Sequence, residues 1–284
     1  MLEKQSNEKD AVRYWISIGS EITGAAIGGS MGFLTAGPVG GALAGALGVV
    51  ISKGLGKLLS DFADRSLSKK EKDRIGTTVY FALEKIEIYL NCGRVPRSDG
   101  FFEANDHKRP YSEEILEGVL LKSRDEHEEK KLKILGNIFA NIAFSEISLT
   151  ESNYILKITD ILTYSQICIL ALINQEKTLD VKDYFYYGWL EKNPIKNGFS
   201  DEKQCFLQQL YEMYNLGLLE WTKQDRRKPN EQKKLFLDAL GKRYCKLANL
   251  EEVSQEDIEY VKKKIFHINF APLCRIVFEI SENG

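Results

Sequence analysis

Charge is missing from one long stretch of this chain. Between Glu21 and Lys53 lie 31 residues without Asp, Glu, Lys or Arg, in a protein that is 28% charged overall. Histidine is scarce: His107, His127 and His267 lie far apart and none has a metal-ligand spacing, so no metal is expected. His127 sits in Asp125-Glu-His-Glu-Glu129, whose members scatter around a helix instead of converging. Cys92, Cys168, Cys205, Cys245 and Cys274 are odd in number and show no CxxC or Cys/His pattern. That excludes a disulfide frame and fits buried free thiols in a reducing compartment. No GxxxxGK[ST] motif is present, and no GxGxxG after a strand, which removes a phosphate cradle. No nucleophile–base pair emerges, so neither catalysis nor a cofactor is expected. A net charge of −2 gives no reason, in total, to expect a dedicated nucleic-acid binder.

The charge-free stretch is filled with small residues at every fourth position. Ser20, Gly24, Gly28, Gly32, Ala36, Gly40, Ala44, Gly48 and Ser52 make one ladder, and Gly37, Gly41 and Gly45 a second. On a helix that spacing stacks residues along one narrow stripe. A glycine stripe lets another helix approach closely, which is how helices associate in lipid. In a soluble helix each glycine costs about 1 kcal/mol relative to alanine. Residues 22–60 are therefore expected to be membrane-active and self-associating. A straight helix of 31 residues would be roughly 46 Å long, against a hydrocarbon core of about 30 Å. Pro38, after Ala36-Gly37, would divide it into two arms too short to span alone. One span, a marginal hairpin stored in a soluble oligomer, and a soluble glycine-rich hairpin that never meets lipid all remain open.

Residues 1–21 mix acidic and basic side chains, unlike the basic leader of a secretory signal. Basic residues dominate after the stretch, with Lys53, Lys57, Arg65, Lys69, Lys70, Lys72 and Arg74 against four acids. By the positive-inside rule the following body is expected in the cytoplasm, though a solvated amphipathic helix accounts for the same charges equally well.

The body is expected to be mainly α-helical. Residues 69–92 carry Ile75, Val79, Ala82, Leu83, Ile86, Tyr89 and Leu90 on one helical face, and Asn91-Cys92-Gly93 ends the pattern. Periodicity resumes from Ser112 and runs through Ile142; the polar run 122–131 is either a solvated helical stretch, favoured because Glu126 and Lys130 stand four apart, or a break. With a helix at 151–162, residues 69–162 read as an antiparallel bundle. Thr163-Tyr-Ser-Gln166 is a capping box opening a buried helix from Ile167 to Ile173. A helix at 201–216 points Phe206, Leu207, Leu210, Tyr211 and Tyr214 inward and closes at Gly217. Strands at 218–222 and 234–237 flank a charged turn, and a helix returns at 240–247. This order over 163–250 resembles a winged helix, followed by a C-terminal helix and tail over 251–284.

The helix at 201–216 has Asp201, Glu202 and Glu212 against Lys203, a poor match to a polyanion. The turn is basic: Lys223, Arg226, Arg227, Lys228, Lys233 and Lys234 against Asp225 and Glu231. It serves either as a solubilising tip or as an anion site. Tyr184-Phe-Tyr-Tyr187 and Trp189 fit core or interface packing, or stacking on bases.

A glycine zipper on a helical cytosolic body resembles the membrane-disrupting effectors of bacterial anti-phage, abortive-infection systems, and among them the Hailong channel effector. The resemblance implies a homo-oligomeric channel in the inner membrane, held closed by a single-stranded oligodeoxyadenylate that a partner nucleotidyltransferase makes. The zipper is the one local motif that carries it, so it transfers no ligand residue. For an anionic nucleotide or DNA oligomer, the residues themselves nominate Arg226, Arg227, Lys228, Lys233 and Lys234. The rival cluster is Lys130, Lys131 and Lys133. Two other classes stand beside a pore: a membrane-tethered winged-helix regulator or adaptor, and a soluble scaffold.

Overall fold

The computed structural model describes residues 66–103, 109–180, 201–221 and 234–270. Within them the protein is mainly helical, with eight α-helices and one three-stranded sheet. The chain divides into two compact units, Met1–Ile161 and Leu162–Gly284. The glycine ladder and the aromatic group at 184–189 lie outside the described residues, as do Arg226, Arg227, Lys228 and Lys233.

In the first unit, α1 (Lys69–Asn91) starts at a full capping box: Glu71 N donates to Ser68 Oγ and Ser68 N donates to the Glu71 carboxylate. It buries Ile75, Val79, Ala82 and Ile86 as their spacing predicts, and Phe81 as well. Leu83, Tyr89 and Leu90, expected on the same face, are half-buried. Gly93 ends the helix at φ 76°, the left-handed conformation that glycine adopts without strain. Helix α2 (Tyr111–Asp125) brings its C-terminal end to the first turns of α1, where Arg74 donates to the Arg124 carbonyl.

The expected helical continuation through 122–131 is corrected by the structure. Glu126 is extended (φ −71°, ψ 125°), and α3 (Lys130–Ala143) starts afresh. The Glu126 carboxylate turns inward, accepts the Glu128 N–H, and pairs with Lys131 instead of Lys130. A charge with a buried partner outweighs the few tenths of a kcal/mol available to an exposed pair four apart on a helix.

Helix α3 is the centre of this unit, with twelve of its fourteen residues buried. It runs parallel to α1: Thr78 donates to the Leu132 carbonyl near one end, and Tyr89 donates to Asn141 Oδ1 near the other. Gly136 makes that approach possible. A Cβ there would stand 2.7 Å from the Thr78 carbonyl oxygen and 2.9 Å from Ala82 N. Helix α4 (Leu149–Ile161) packs mainly on α2 through Ile155, Leu156 and Ile158.

In the second unit, α5 (Tyr164–Glu176) is buried almost all round, from Ile167 to Ile173, so its capping box carries most of its sequence signal. Strand β1 (Leu179–Asp180) follows, then α6 (Asp201–Asn215), β2 (Leu219–Trp221) and β3 (Lys234–Leu237). The sheet order is β1-β3-β2, antiparallel throughout. Leu235 pairs with Leu179 on one side and Trp221 on the other, while Leu237 pairs with Leu219. Leu179, Leu219, Leu235 and Leu237 are all buried. In α6, Met213 takes a buried place, while Tyr211 and Tyr214, expected inward, are half-buried. Helix α7 (Ala239–Leu247) is capped by Asp238, and a 3-10 turn at Leu250–Glu252 leads into α8 (Gln255–Phe270).

Among the described residues, no single helix is long and apolar enough to cross a membrane.

Candidate functional site

The three lysines nominated on the central helix do not form one cluster. Lys130 is exposed at the start of α3. Lys131 is 2% exposed, its ammonium 2.5 Å from Glu126 Oε2. Lys133 is half-buried and lies over the Phe81 ring, 5.8 Å from its centroid. A buried ammonium with a carboxylate partner is already neutralised, so this row presents no shared cationic surface. Of the basic turn, Lys234 is described: it opens β3, opposite Asp180, and is half-buried.

The second unit positions its elements through buried polar groups. Gln166, 1% exposed, uses both ends of its side chain. Its carbonyl oxygen accepts from Thr163 N at 2.8 Å, and its amide nitrogen donates to the Gln209 carbonyl and to Glu212 Oε2 at 3.1 Å. The capping box that starts α5 therefore also fixes the register of α6, and it engages one acid of that helix. At the start of α8, Asp257 accepts from Ser254 Oγ at 2.7 Å and from the Tyr164 hydroxyl at 3.0 Å. Burial, then Cys168 and the Asp257 carboxylate, push the Tyr164 hydroxyl well above the usual phenol range. Tyr164 acts there as a neutral donor tying α8 to α5.

One group escaped the sequence reasoning. Helix α7 exposes Lys242, Arg243 and Lys246 while burying Gly241, Tyr244, Cys245 and Leu247. The signal was present in the run from Leu240 to Leu247, because cations at i, i+1 and i+4 share one helical face. The helix can lie this close to the backbone just before β2 because residue 241 has no Cβ: one placed there would meet the Leu218 carbonyl oxygen at 2.0 Å. Asp238 caps the helix by accepting from Ala239 N at 2.7 Å.

The thiols divide differently from the expectation that all would be buried. Cys168 and Cys245 are buried, but Cys92 and Cys205 are exposed, because each sits on the outer side of its helix or at its end. Burial pushes the Cys245 thiol up to about 12. Among the described residues, no group of three or more His, Cys, Asp or Glu is placed to hold a metal ion. Comparison with protein-family models, with curated proteins and with solved structures finds no match to this chain.

Proposed function

We propose that the protein is an anti-phage defence effector that oligomerises and permeabilises the bacterial inner membrane. In this reading residues 22–52 act on lipid and the body restrains them from the cytoplasmic side until a signal releases them. The observation that carries it is the charge-free stretch with small residues, mostly glycine, at every fourth position, a pattern that favours close helix association in lipid. The body supports it by contrast. Most apolar residues of its described helices are buried in their own cores, with Ile88 and Ile161 among the few exposed.

The restraint is a two-state equilibrium, and a ligand that prefers one state by a few kcal/mol is enough to reset it. An anionic nucleotide or single-stranded DNA oligomer, made by a partner nucleotidyltransferase, is the signal this reading favours, with the basic turn at 226–234 as its receptor. The reading assigns no catalysis. The test is fractionation of cells making the full chain: it stays in the membrane pellet after an alkaline carbonate wash. Recovery wholly in the cytosol under every activating condition contradicts it.

A second reading is a membrane-tethered winged-helix adaptor without pore activity. The order α5, β1, α6, β2, β3, with β3 between its two partners, supports a winged-helix topology. The helix that would enter a DNA groove is α6, and its acidic charge and the Glu212 contact to Gln166 weigh against duplex recognition. A gel shift at moderate salt with no preference over random duplex removes this reading.

A further inference from the structure

We infer that Ile51, Leu55, Leu58 and Phe62 dock on the row of α1 that holds Gly76 and Leu83, folding the chain back on itself as a helical hairpin. The inference deepens the reading above and rests on it for its role: it names the contact by which the body holds the end of the charge-free stretch.

Helix α1 has two sides with apolar residues. Thr78, Ala82 and Tyr89 face α3, through their hydrogen bonds and the close approach of Gly136. Gly76, Leu83 and Leu90 each follow Ile75, Ala82 and Tyr89 by one residue, roughly 100° further round the helix. Their spacing of seven lines them up along one side, turned away from α3. Gly76 is buried, and Leu83 and Leu90 are half-buried. Of the described elements, α3 and α2 are those that α1 mainly packs on. Beside the row, burial pushes the Tyr80 hydroxyl up to about 12, and desolvation, followed by Glu84, raises the Glu87 carboxyl.

Two observations select the occupant. The sequence just before α1 carries a matching pattern: Ile51, Leu55, Leu58 and Phe62 step by four, three and four, the spacing of a helical seam. At that pitch Lys53, Lys57 and Asp64 fall on the opposite side, where solvent can reach them. Distance along the chain fits as well. Ser68 caps α1, so Ser66, Leu67 and Ser68 separate position 65 from the first turn, a length that joins antiparallel helices. Equal steps from that connection set Leu58 opposite Gly76 and Ile51 opposite Leu83, seven and fourteen residues along each arm. Leucine thus meets the one position of the row that has no side chain.

The test uses the full chain in a Cys92→Ser/Cys205→Ser/Cys274→Ser background, which keeps the two buried thiols. Under mild oxidation Ile51→Cys/Leu83→Cys forms a disulfide within one chain. Lys53→Cys/Leu83→Cys does not, because its two thiols point apart. Denaturant abolishes the difference. Proteolysis gives a second readout that leaves α1 unaltered: trypsin cuts wild type slowly after Lys57, and Leu55→Asp/Leu58→Asp speeds that cut. Equal cross-linking of the two cysteine pairs overturns the inference. So does a disulfide that joins two chains, which assigns the row to a second copy. Immediate cutting after Lys57 in wild type overturns it too. Both readouts are independent of membrane activity. A chain that forms the disulfide between positions 51 and 83 yet never enters a membrane upholds the docking and counts against the membrane reading.

Discussion

Lys131 places its ammonium 2.5 Å from the Glu126 carboxylate, and neither side chain is more than a tenth exposed. This pair closes the corner between α2 and α3, next to the point where Arg74 of α1 donates to Arg124. Removing one member leaves the other charged and buried. Glu126→Ala and Lys131→Met are each expected to lower unfolding free energy by about 3–5 kcal/mol. Replacing both, as Glu126→Leu/Lys131→Met, costs much less than the sum. Chemical denaturation of the four proteins measures the coupling, and additive losses contradict a paired corner.

Three glycines in helices separate close approach from simple helix propensity. A Cβ at Gly241 meets backbone at 2.0 Å and one at Gly136 meets backbone at 2.7 Å, whereas at Gly118 the nearest atom is the Leu156 Cδ1 methyl at 3.5 Å. Gly241→Ala and Gly136→Ala force backbone apart and are expected to destabilise by about 2 kcal/mol or more, as overpacking does. Gly118→Ala gains up to about 1 kcal/mol from helix propensity. Thermal melts of the three variants give the order directly.

Thiol chemistry should follow burial. In the native protein a maleimide reagent modifies Cys92 and Cys205, while Cys168 and Cys245 react after denaturation, as peptide mass mapping would record. The Cys245 thiol, raised from 9.0 to about 12, also makes stability pH-dependent. Between those values the unfolded chain has released the proton that the folded chain keeps, so stability falls as pH rises from about 9 toward 12. Tyr80, raised to about 12 chiefly by burial, adds to the slope above its ordinary value of 10.0. Cys245→Ser is expected to flatten the alkaline limb at its lower end. An unchanged slope contradicts the assignment.

The parts of the fold legible in the sequence were those with a local cause. The Thr163/Gln166 capping box, the glycine stops at Gly93 and Gly217, and the apolar periodicity of α1 and α3 each announce an element within a few residues. The corner at Glu126 was misread because its cause is a buried ion pair, which a count of exposed i, i+4 partners cannot register. Strand β1 was missed because two residues hold no period, and their pairing with Leu235 and Lys234 comes from distant sequence. Lys131 was nominated for a ligand surface on charge alone, and burial decided otherwise. The cationic face of α7 was readable and was passed over in favour of the denser turn beside it.

The most direct test of the central claim is membrane potential in cells making the protein. Wild type and a Gly28→Leu/Gly41→Leu/Gly45→Leu variant are induced at matched levels under activating conditions and followed with a potential-sensitive dye. Leucine fills both small-residue stripes and keeps the stretch apolar, so insertion is retained while close helix approach is lost. The account predicts rapid depolarisation by wild type and little or none by the variant. Equal depolarisation by the two proteins, or none by either, contradicts it.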